Sequence, residues 1–393
     1  MGENIVCFAK DWSEDPTSNN HVMRLLARRH RVLWLNSISM RSPSLSSGQD
    51  VRKIRAKIAA FLRGPKEVEK NLWVFTPLVL PFPHHRLAIA LNRVILRATL
   101  AALRRKLSMR EFQLWSFLPN AVEYAGRLGE SLLVYYCIDE WSKFGYLDGE
   151  RMARMDEEIC RKADVVFATA HSLKASREPF NAETLLALHG VDHEHFSRAL
   201  LPETPPAPEL AGLRGPVIGF FGLIQEWVDQ ELLAKLAARH PDWNVVIVGK
   251  SCVDTSALER IPNVRFLGRK PYSELPAYCK GFDVALIPFL VNDLTVHVNP
   301  IKLREYLSAG LSVVSTALPE VAPYGEHCRL AGDHEEFIRA VEEALRTDSP
   351  ERRRARSEAM RAERWEQKVA DLETHVSRVK AAKCSSKRSY ALA

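Results

Sequence analysis

Short apolar runs of four or five residues recur along the whole chain, and most are separated by stretches whose apolar residues fall at helical spacing. That alternation predicts parallel strands with helices packed over them. In the first half the pattern predicts strands at residues 5–8, 32–35, 72–75, 112–115, 132–136, 164–168 and 184–188, with helices at 21–29, 51–63 and 87–107. In the second half it predicts strands at 217–221, 244–248, 263–267, 283–287 and 311–315, with helices at 229–239, 272–280, 300–309 and 334–345. The fold class expected is α/β, with two doubly wound, Rossmann-like domains. Residues 201–208, the most Pro-rich in the chain, read as a tether. The expected division is a first domain at 1–198, a linker at 199–215, a second domain at 216–350, and at 351–393 a charged helix ending in a polar, disordered tail.

Composition narrows the class. The chain has 393 residues, 46% hydrophobic and 26% charged, which excludes wholesale disorder and suits two soluble domains. No run is apolar enough to span a bilayer, and the first residues lack the order of a signal peptide, so a cytoplasmic location is expected. Seven scattered cysteines without a Cys-x-x-Cys pair predict free thiols. The net charge of +7 is uneven: residues 41–110 hold 15 Lys or Arg against three acids. Two basic amphipathic helices carry this excess. Residues 51–63 interleave Val51, Ile54, Ile58, Phe61 and Leu62 with Arg52, Lys53, Arg55, Lys57 and Arg63, after the Ser-rich residues 42–47; residues 87–107 carry Arg93, Arg97, Arg104, Arg105 and Lys106. Each reads either as a helix lying on anionic lipid or as a core-packed helix with a solvated basic face. No nucleic-acid partner is expected.

The candidate chemistry gathers around the helix at 300–309. Asn299 is placed to cap it, Pro300 suits its first position, and Gly310 suits the left-handed residue beyond its end. Lys302 and Glu305 share one face, Leu303 and Leu307 another, and Arg304 is left for solvent. A helix start with a Lys in its first turn attracts phosphate, and Glu305 one turn deeper suits ribose hydroxyls. Alone, these residues describe an ordinary surface helix equally well. Its position after an apolar strand in an open α/β sheet favours a ligand site. Three strands of the same half end in glycine, at Gly222, Gly249 and Gly268.

Elsewhere the residues leave alternatives open. Asp139 and Glu140 follow a strand, where Asp139 is either a general base toward a sugar hydroxyl or the cap of the next helix. Asp11, Trp12, Ser18 and Asn19 form a polar loop that either meets an acceptor or simply connects two elements. His189, His193 and His195 read as a turn rather than as metal ligands, for want of an acid at ligand spacing.

Several motifs in one order resemble glycosyltransferases of the GT-B fold, and within them the family 4 relatives that build exopolysaccharides and teichuronic acid. They are His189-Gly-Val-Asp192 with Phe196, Gly222 with Asp229-Gln-Glu-Leu-Leu233, Val248-Gly249, Phe266-Leu-Gly268, Tyr272-x-x-Leu-Pro276, the strand at 283–288 and Pro300-Ile-Lys-Leu-Arg-Glu-Tyr-Leu-Ser-Ala-Gly310. The resemblance implies two Rossmann-like domains facing a cleft, the first binding acceptor and the second a UDP- or GDP-type sugar donor. It implies a hexosyltransferase that passes a sugar to a lipid-linked saccharide at the inner face of the plasma membrane. Two departures bear on mechanism. The family's Glu, seven residues, Glu pattern meets Glu305 at its second position and His297 at its first, and the basic pair usual after the glycine at Gly222 is replaced by Leu-Ile-Gln-Glu-Trp227. The arrangement is then similar to inverting GT-B enzymes of xanthan synthesis, whose base is an Asp of the first domain. On this resemblance the donor-binding residues are Gly222, Lys250, Arg269, Tyr272, Asn299, Pro300, Ile301, Lys302 and Glu305, with Lys270 and Pro271 in the base loop. Asp139 and His297 are the catalytic candidates, and no metal or cofactor is expected. A sugar-nucleotide epimerase and a non-catalytic scaffold are the other readings such a fold admits.

Overall fold

The structure is a computed structural model that describes residues 2–38, 48–82 and 85–391. Residues 42–47 and the side chains of Val51 and Lys53, which figured in the reading of the first basic helix, lie outside the described residues. The strands are β1 (Asn4–Phe8), β2 (Arg31–Leu35), β3 (Lys66–Glu69), β4 (Leu72–Phe75), β5 (Gln113–Ser116), β6 (Leu132–Cys137), β7 (Val165–Ala168) and β8 (Thr184–Leu186) in a first sheet. A second sheet holds β9 (Val217–Phe221), β10 (Asn244–Val248), β11 (Val264–Gly268), β12 (Val284–Ile287), β13 (Ser312–Thr316) and β14 (Cys328–Ala331).

The chain divides into two compact units, residues 1–188 with 369–393 and residues 189–368. In the first the strand order is β3-β4-β2-β1-β5-β6-β7-β8, parallel throughout except where β3 runs antiparallel to β4. The interior strands are apolar on both faces because helices cover both; all six residues of β6 are buried. The strand β3 went unseen in the sequence because Lys-Glu-Val-Glu has no apolar alternation. It forms through the turn at Asn71, whose φ of 64° is a left-handed conformation Asn tolerates, and its charges blunt the sheet edge.

In the second unit the order is β11-β10-β9-β12-β13-β14, all parallel. The order reverses between β9 and β12, the topological switch point at which such sheets bind ligands. Those two strands pair only at Ile218 with Val284 and Gly219 with Ala285. Beyond that they diverge, and the Phe221 N–H is met instead by the hydroxyl of buried Tyr306 at 2.8 Å. A crevice therefore opens at the carboxyl end of β9.

Four boundaries differ from expectation for identifiable reasons. The first helix is Ser18–Ala27, three residues earlier than the apolar spacing shows, because the Asn20 side chain accepts a bond from the Thr17 N–H and builds a start from polar residues. The Pro-rich stretch is no free tether: Ala207 and Leu210 are buried, and the Ala207 N–H donates to the Ala277 carbonyl at 3.0 Å, so it packs on the helix Leu275–Gly281 within the second unit. The units part at residues 188 and 189. The tail is not disordered through residue 391 either; it is part of the helix Trp365–Ala391. Val369, Leu372, Val376 and Val379 of that helix are buried in the first unit, and Glu373, Lys380 and Lys383 pair there with His30, Glu3 and Asp164. Among the described residues no helix is long and apolar enough to cross a membrane.

Candidate active site

At the carboxyl ends of three adjacent strands the chain turns on glycine. Gly222, Gly249 and Gly268 have φ of 140°, 156° and 67°. The Gly222 N–H donates to the Val248 carbonyl at 2.8 Å, and that of Gly249 to the Gly268 carbonyl at 2.9 Å. A Cβ on Gly249 would stand 1.8 Å from the Gly222 oxygen, and one on Gly222 would stand 2.2 Å from Cε of Lys302. Glycine is required so that the lysine can lie across the end of β9.

Lys302 belongs to the helix Ile301–Ser308. Its Nζ lies 6.0 Å from the ring centres of both Phe220 and Phe289, which flank the crevice from β9 and from the end of β12. Among the described residues it has no hydrogen-bond or ion-pair partner. Burial lowers its pKa from the ordinary lysine value, and the nearby Glu305 opposes that shift. Burial likewise lifts Glu305 to about 7, with Lys302 holding it down and Asp192 pushing it up. An unpartnered, desolvated ammonium beside a half-ionised carboxyl is an arrangement that gains from an incoming anion.

The helix start is built otherwise than expected. Pro300, not Asn299, occupies the cap position, and no side chain caps the first turn. The Asn299 side chain accepts a hydrogen bond from Nη1 of Arg304 at 2.7 Å. Arg304, expected in solvent, is fully buried, 3.6 Å from Glu363 and over the Tyr324 ring at 4.9 Å. The reading of one polar face failed because Leu303 through Ser308 are all buried, so the helix has almost no solvent face. Arg304 thus anchors the segment before the helix and leaves the first-turn amides uncapped. Tyr306, which fastens β9 to this helix, also went unremarked; an aromatic three residues after Leu303 and beside Leu307 reads only as core.

The other expected donor residues are dispersed around these. Lys250 is exposed after Gly249, next to the end of β9, and Arg269 is exposed after Gly268. The Tyr272 ring stacks on His195 with centres 4.6 Å apart and its carbonyl accepts from His195 Nε2 at 2.9 Å, so one ring face is already covered. Lys270 is tied to Glu209. His297 is half-buried on the turn Thr295–His297, held in shape by Asn292 Oδ1, which accepts from the N–H groups of Leu294 and Thr295 at 3.0 and 3.1 Å. His193 bonds the Ser357 carbonyl at 2.9 Å, and burial lowers the pKa of His193 and His195, as suits neutral structural imidazoles.

In the first unit Asp139 follows β6 and caps no helix: the next α-helix, Gly149–Lys162, is capped by Asp148. Burial, then the neighbouring Glu140, lift Asp139 to about 7. A carboxyl poised near neutrality is what proton abstraction requires. The residues of the polar loop serve structure. Asp11 accepts from the Ser37 N–H and hydroxyl at 2.9 and 2.7 Å, Trp12 packs edge-on against Trp34, and Ser18 and Asn19 are buried in the first helix.

Residues 215–347 match the family described as Glycosyl transferases group 1. The whole chain superposes on the sucrose-phosphate synthase of Thermosynechococcus elongatus with a TM-score of 0.70 at 15% identity, covering 97% of this chain and 100% of that one. The chain has the GT-B fold. Other GT-B structures agree: HepE of Anabaena in complex with UDP gives a TM-score of 0.65 at 12% identity over 96% of this chain and 100% of its own. The α,α-trehalose 6-phosphate synthase of Burkholderia multivorans gives 0.66 at 13% identity, over 99% of this chain and 98% of its own. A teichuronic acid biosynthesis glycosyltransferase of Bacillus subtilis, TuaH, is 27% identical over 253 residues, 59% of this chain. The match spans 63% of that relative's length. The epimerase and scaffold readings draw no support from these relatives.

Proposed function

We propose that this GT-B chain transfers a sugar from a nucleotide diphosphate donor of the UDP type to a lipid-linked saccharide, in the assembly of a cell-surface polysaccharide. The observation that carries the reading is Lys302, an unpartnered ammonium lying over Gly222 at the switch point of the second sheet. Lys302 and the uncapped amides of the helix start meet the diphosphate charge as the bond from the sugar carbon to the phosphate oxygen breaks. Glu305 accepts from ribose hydroxyls. Asp139 takes the proton of the acceptor hydroxyl as its oxygen bonds the sugar carbon. The UDP in HepE and the relationship to TuaH support the donor and the polymer class respectively. Calorimetry of UDP with the Lys302→Ala chain tests the reading: affinity falls by about 100-fold if Lys302 carries the diphosphate, and unchanged affinity refutes it.

The acceptor's lipid suits a surface of the first unit. On the helix Arg86–Lys106, Leu87, Leu91 and Val94 are exposed at i, i+4 and i+7, and Ile58 and Leu62 are exposed on Gly48–Arg63. Arg52, Arg55, Arg63, Arg86 and Arg97 stand exposed among them, and no acid occurs between Lys70 and Arg110. Lys57 is not part of this surface, since it donates to the Ser37 carbonyl at 2.7 Å. Apolar residues at helical spacing with a basic surround fit an anionic bilayer. Replacing Leu87, Leu91 and Val94 by Ser releases the chain from phosphatidylglycerol vesicles in a flotation assay; retained binding removes the membrane from the reading.

A further inference from the structure

In the stretch that carries Asp139, the carbonyls of residues 137–140 all accept hydrogen bonds. The Cys137 oxygen accepts from the Thr169 N–H and the Ile138 oxygen from the Thr169 hydroxyl, both at 3.1 Å. The Asp139 oxygen accepts from the Cys137 thiol at 3.6 Å, and the Glu140 oxygen from the Lys143 N–H at 3.0 Å. The Glu140 side chain is held from two sides, by the Ser142 hydroxyl at 2.6 Å and by Nη1 of Arg177 at 2.5 Å. Arg177, the last residue of the helix His171–Arg177, is buried and also ion-pairs through Nε with Asp156 at 2.8 Å. Asp156 in turn accepts from the hydroxyl of Tyr135 on β6. One guanidinium therefore joins three elements: β6 through Asp156 and Tyr135, the helix Gly149–Lys162 that bears Asp156, and the stretch after β6 through Glu140.

We propose that Arg177 is a positioning residue for Asp139: by engaging Glu140 and Asp156 together it locks residues 138–142 in a conformation that leaves the Asp139 carboxyl with no cation. A guanidinium can do this because its planar fork serves two carboxylates at once. Among the described residues Asp139 has no side-chain partner, although Glu140, its neighbour, is bonded by Ser142 and Arg177. The titratable groups bearing on the cluster are Tyr135, Cys137 and Cys160, which burial keeps neutral, and Glu140, Asp156 and Arg177. Of these, Glu140 is the charge that acts on Asp139, and it is paired with Arg177. This role rests on the reading of Asp139 as the base.

The test uses the full chain labelled with carbon-13 at the aspartate carboxyls, the Asp139 resonance being the one lost in the Asp139→Asn chain. Glu140→Gln keeps the shape and an acceptor oxygen but removes the like charge, so the Asp139 titration midpoint falls by about one pH unit, roughly tenfold in ionisation constant. Arg177→Lys keeps the charge and loses the fork; residues 138–142 loosen, water reaches the carboxyl, the midpoint again falls, and amide exchange over that stretch accelerates about tenfold or more. Midpoint and exchange unchanged in both variants, with only the melting temperature lowered, overturn the positioning role while leaving Asp139 as base. Should Arg177→Lys fail to fold, Glu140→Ala decides by amide exchange: removing the carboxylate that Arg177 grips accelerates exchange over residues 138–142, and unchanged exchange overturns the positioning role. Normal turnover of UDP-glucose by the Asp139→Asn chain overturns the base reading whatever the titrations give.

Discussion

The two candidate sites contain the same ingredients in opposite arrangements. Each has a carboxyl that burial lifts to about 7, Glu305 in the second unit and Asp139 in the first, and each has a basic side chain nearby. In the second unit the cation has no hydrogen-bond or ion-pair partner among the described residues, for Lys302 lies over Gly222 between the rings of Phe220 and Phe289. In the first the cation is committed, since Arg177 binds Glu140 and Asp156 and Asp139 is left over. A spare cation receives an anion, and a spare carboxyl near its midpoint receives a proton. On the proposed reading, the division of labour between the domains follows from which charge each leaves unpaired.

Four tests break or sharpen that contrast. Asp139→Asn removes the spare carboxyl and lowers kcat by about 100-fold to 10,000-fold, with the affinity for UDP retained; a fall in UDP affinity instead would assign Asp139 to the donor. Gly222→Ala places a methyl against Lys302 at a φ of 140°. It raises KM for the donor by about 10-fold or more, as 1–3 kcal/mol of strain or displacement requires, read by steady-state kinetics at saturating acceptor. Arg304→Met removes the buried guanidinium that bonds Asn299 and lies 3.6 Å from Glu363, which keeps Lys368; it costs about 2 kcal/mol, visible in the urea midpoint of the second unit.

The smallest effect concerns stability against pH. Asp139 and Glu305 hold pKa values of about 7 when folded, against ordinary values of 3.8 and 4.5, so the native chain binds their protons more tightly than the unfolded chain. Their contribution to stability is full below about pH 4 and is lost as pH rises through 7. Asp139→Asn is therefore more stable than the parent at pH 8 by about 1–2 kcal/mol and no more stable at pH 4. Thermal melts at the two pH values check the sign, and a variant equally stabilised at both would mean that Asp139 is ordinarily ionised in the folded chain.

Much of the second domain was legible because local rules and the fold agree there. The strands Val217–Phe221 and Asn244–Val248 fall where the apolar runs place them, and the glycines that end strands stand where the chain turns, Gly222 against Lys302. The fate of Arg304 was not legible. The amphipathic rule assumes one solvent face, and the helix Ile301–Ser308 has almost none once residues 322–324 and 360–363 close over it. Nor was the packing of the Pro-rich stretch, because proline fixes backbone angles and says nothing of whether Ala207 and Leu210 find a surface to bury against.

By itself the sequence determined the alternation of strand and helix, the two-sheet plan, the glycine-ended strands and Lys302 in the first turn of its helix, because these depend on periodicity and on backbone conformations few residues adopt. Only the tertiary structure decided which charges are spent and which are spare. Lys302 and Arg177 are both basic residues at helix ends, and Asp139 and Glu140 are adjacent acids. What separates them is burial and the partners that distant elements bring, Phe220 and Phe289 in one unit, Asp156 and Tyr135 in the other. Charge pairing acts through space over a few ångströms, and residues such as Glu140 and Arg177, 37 apart in the chain, become neighbours only when the sheet is assembled.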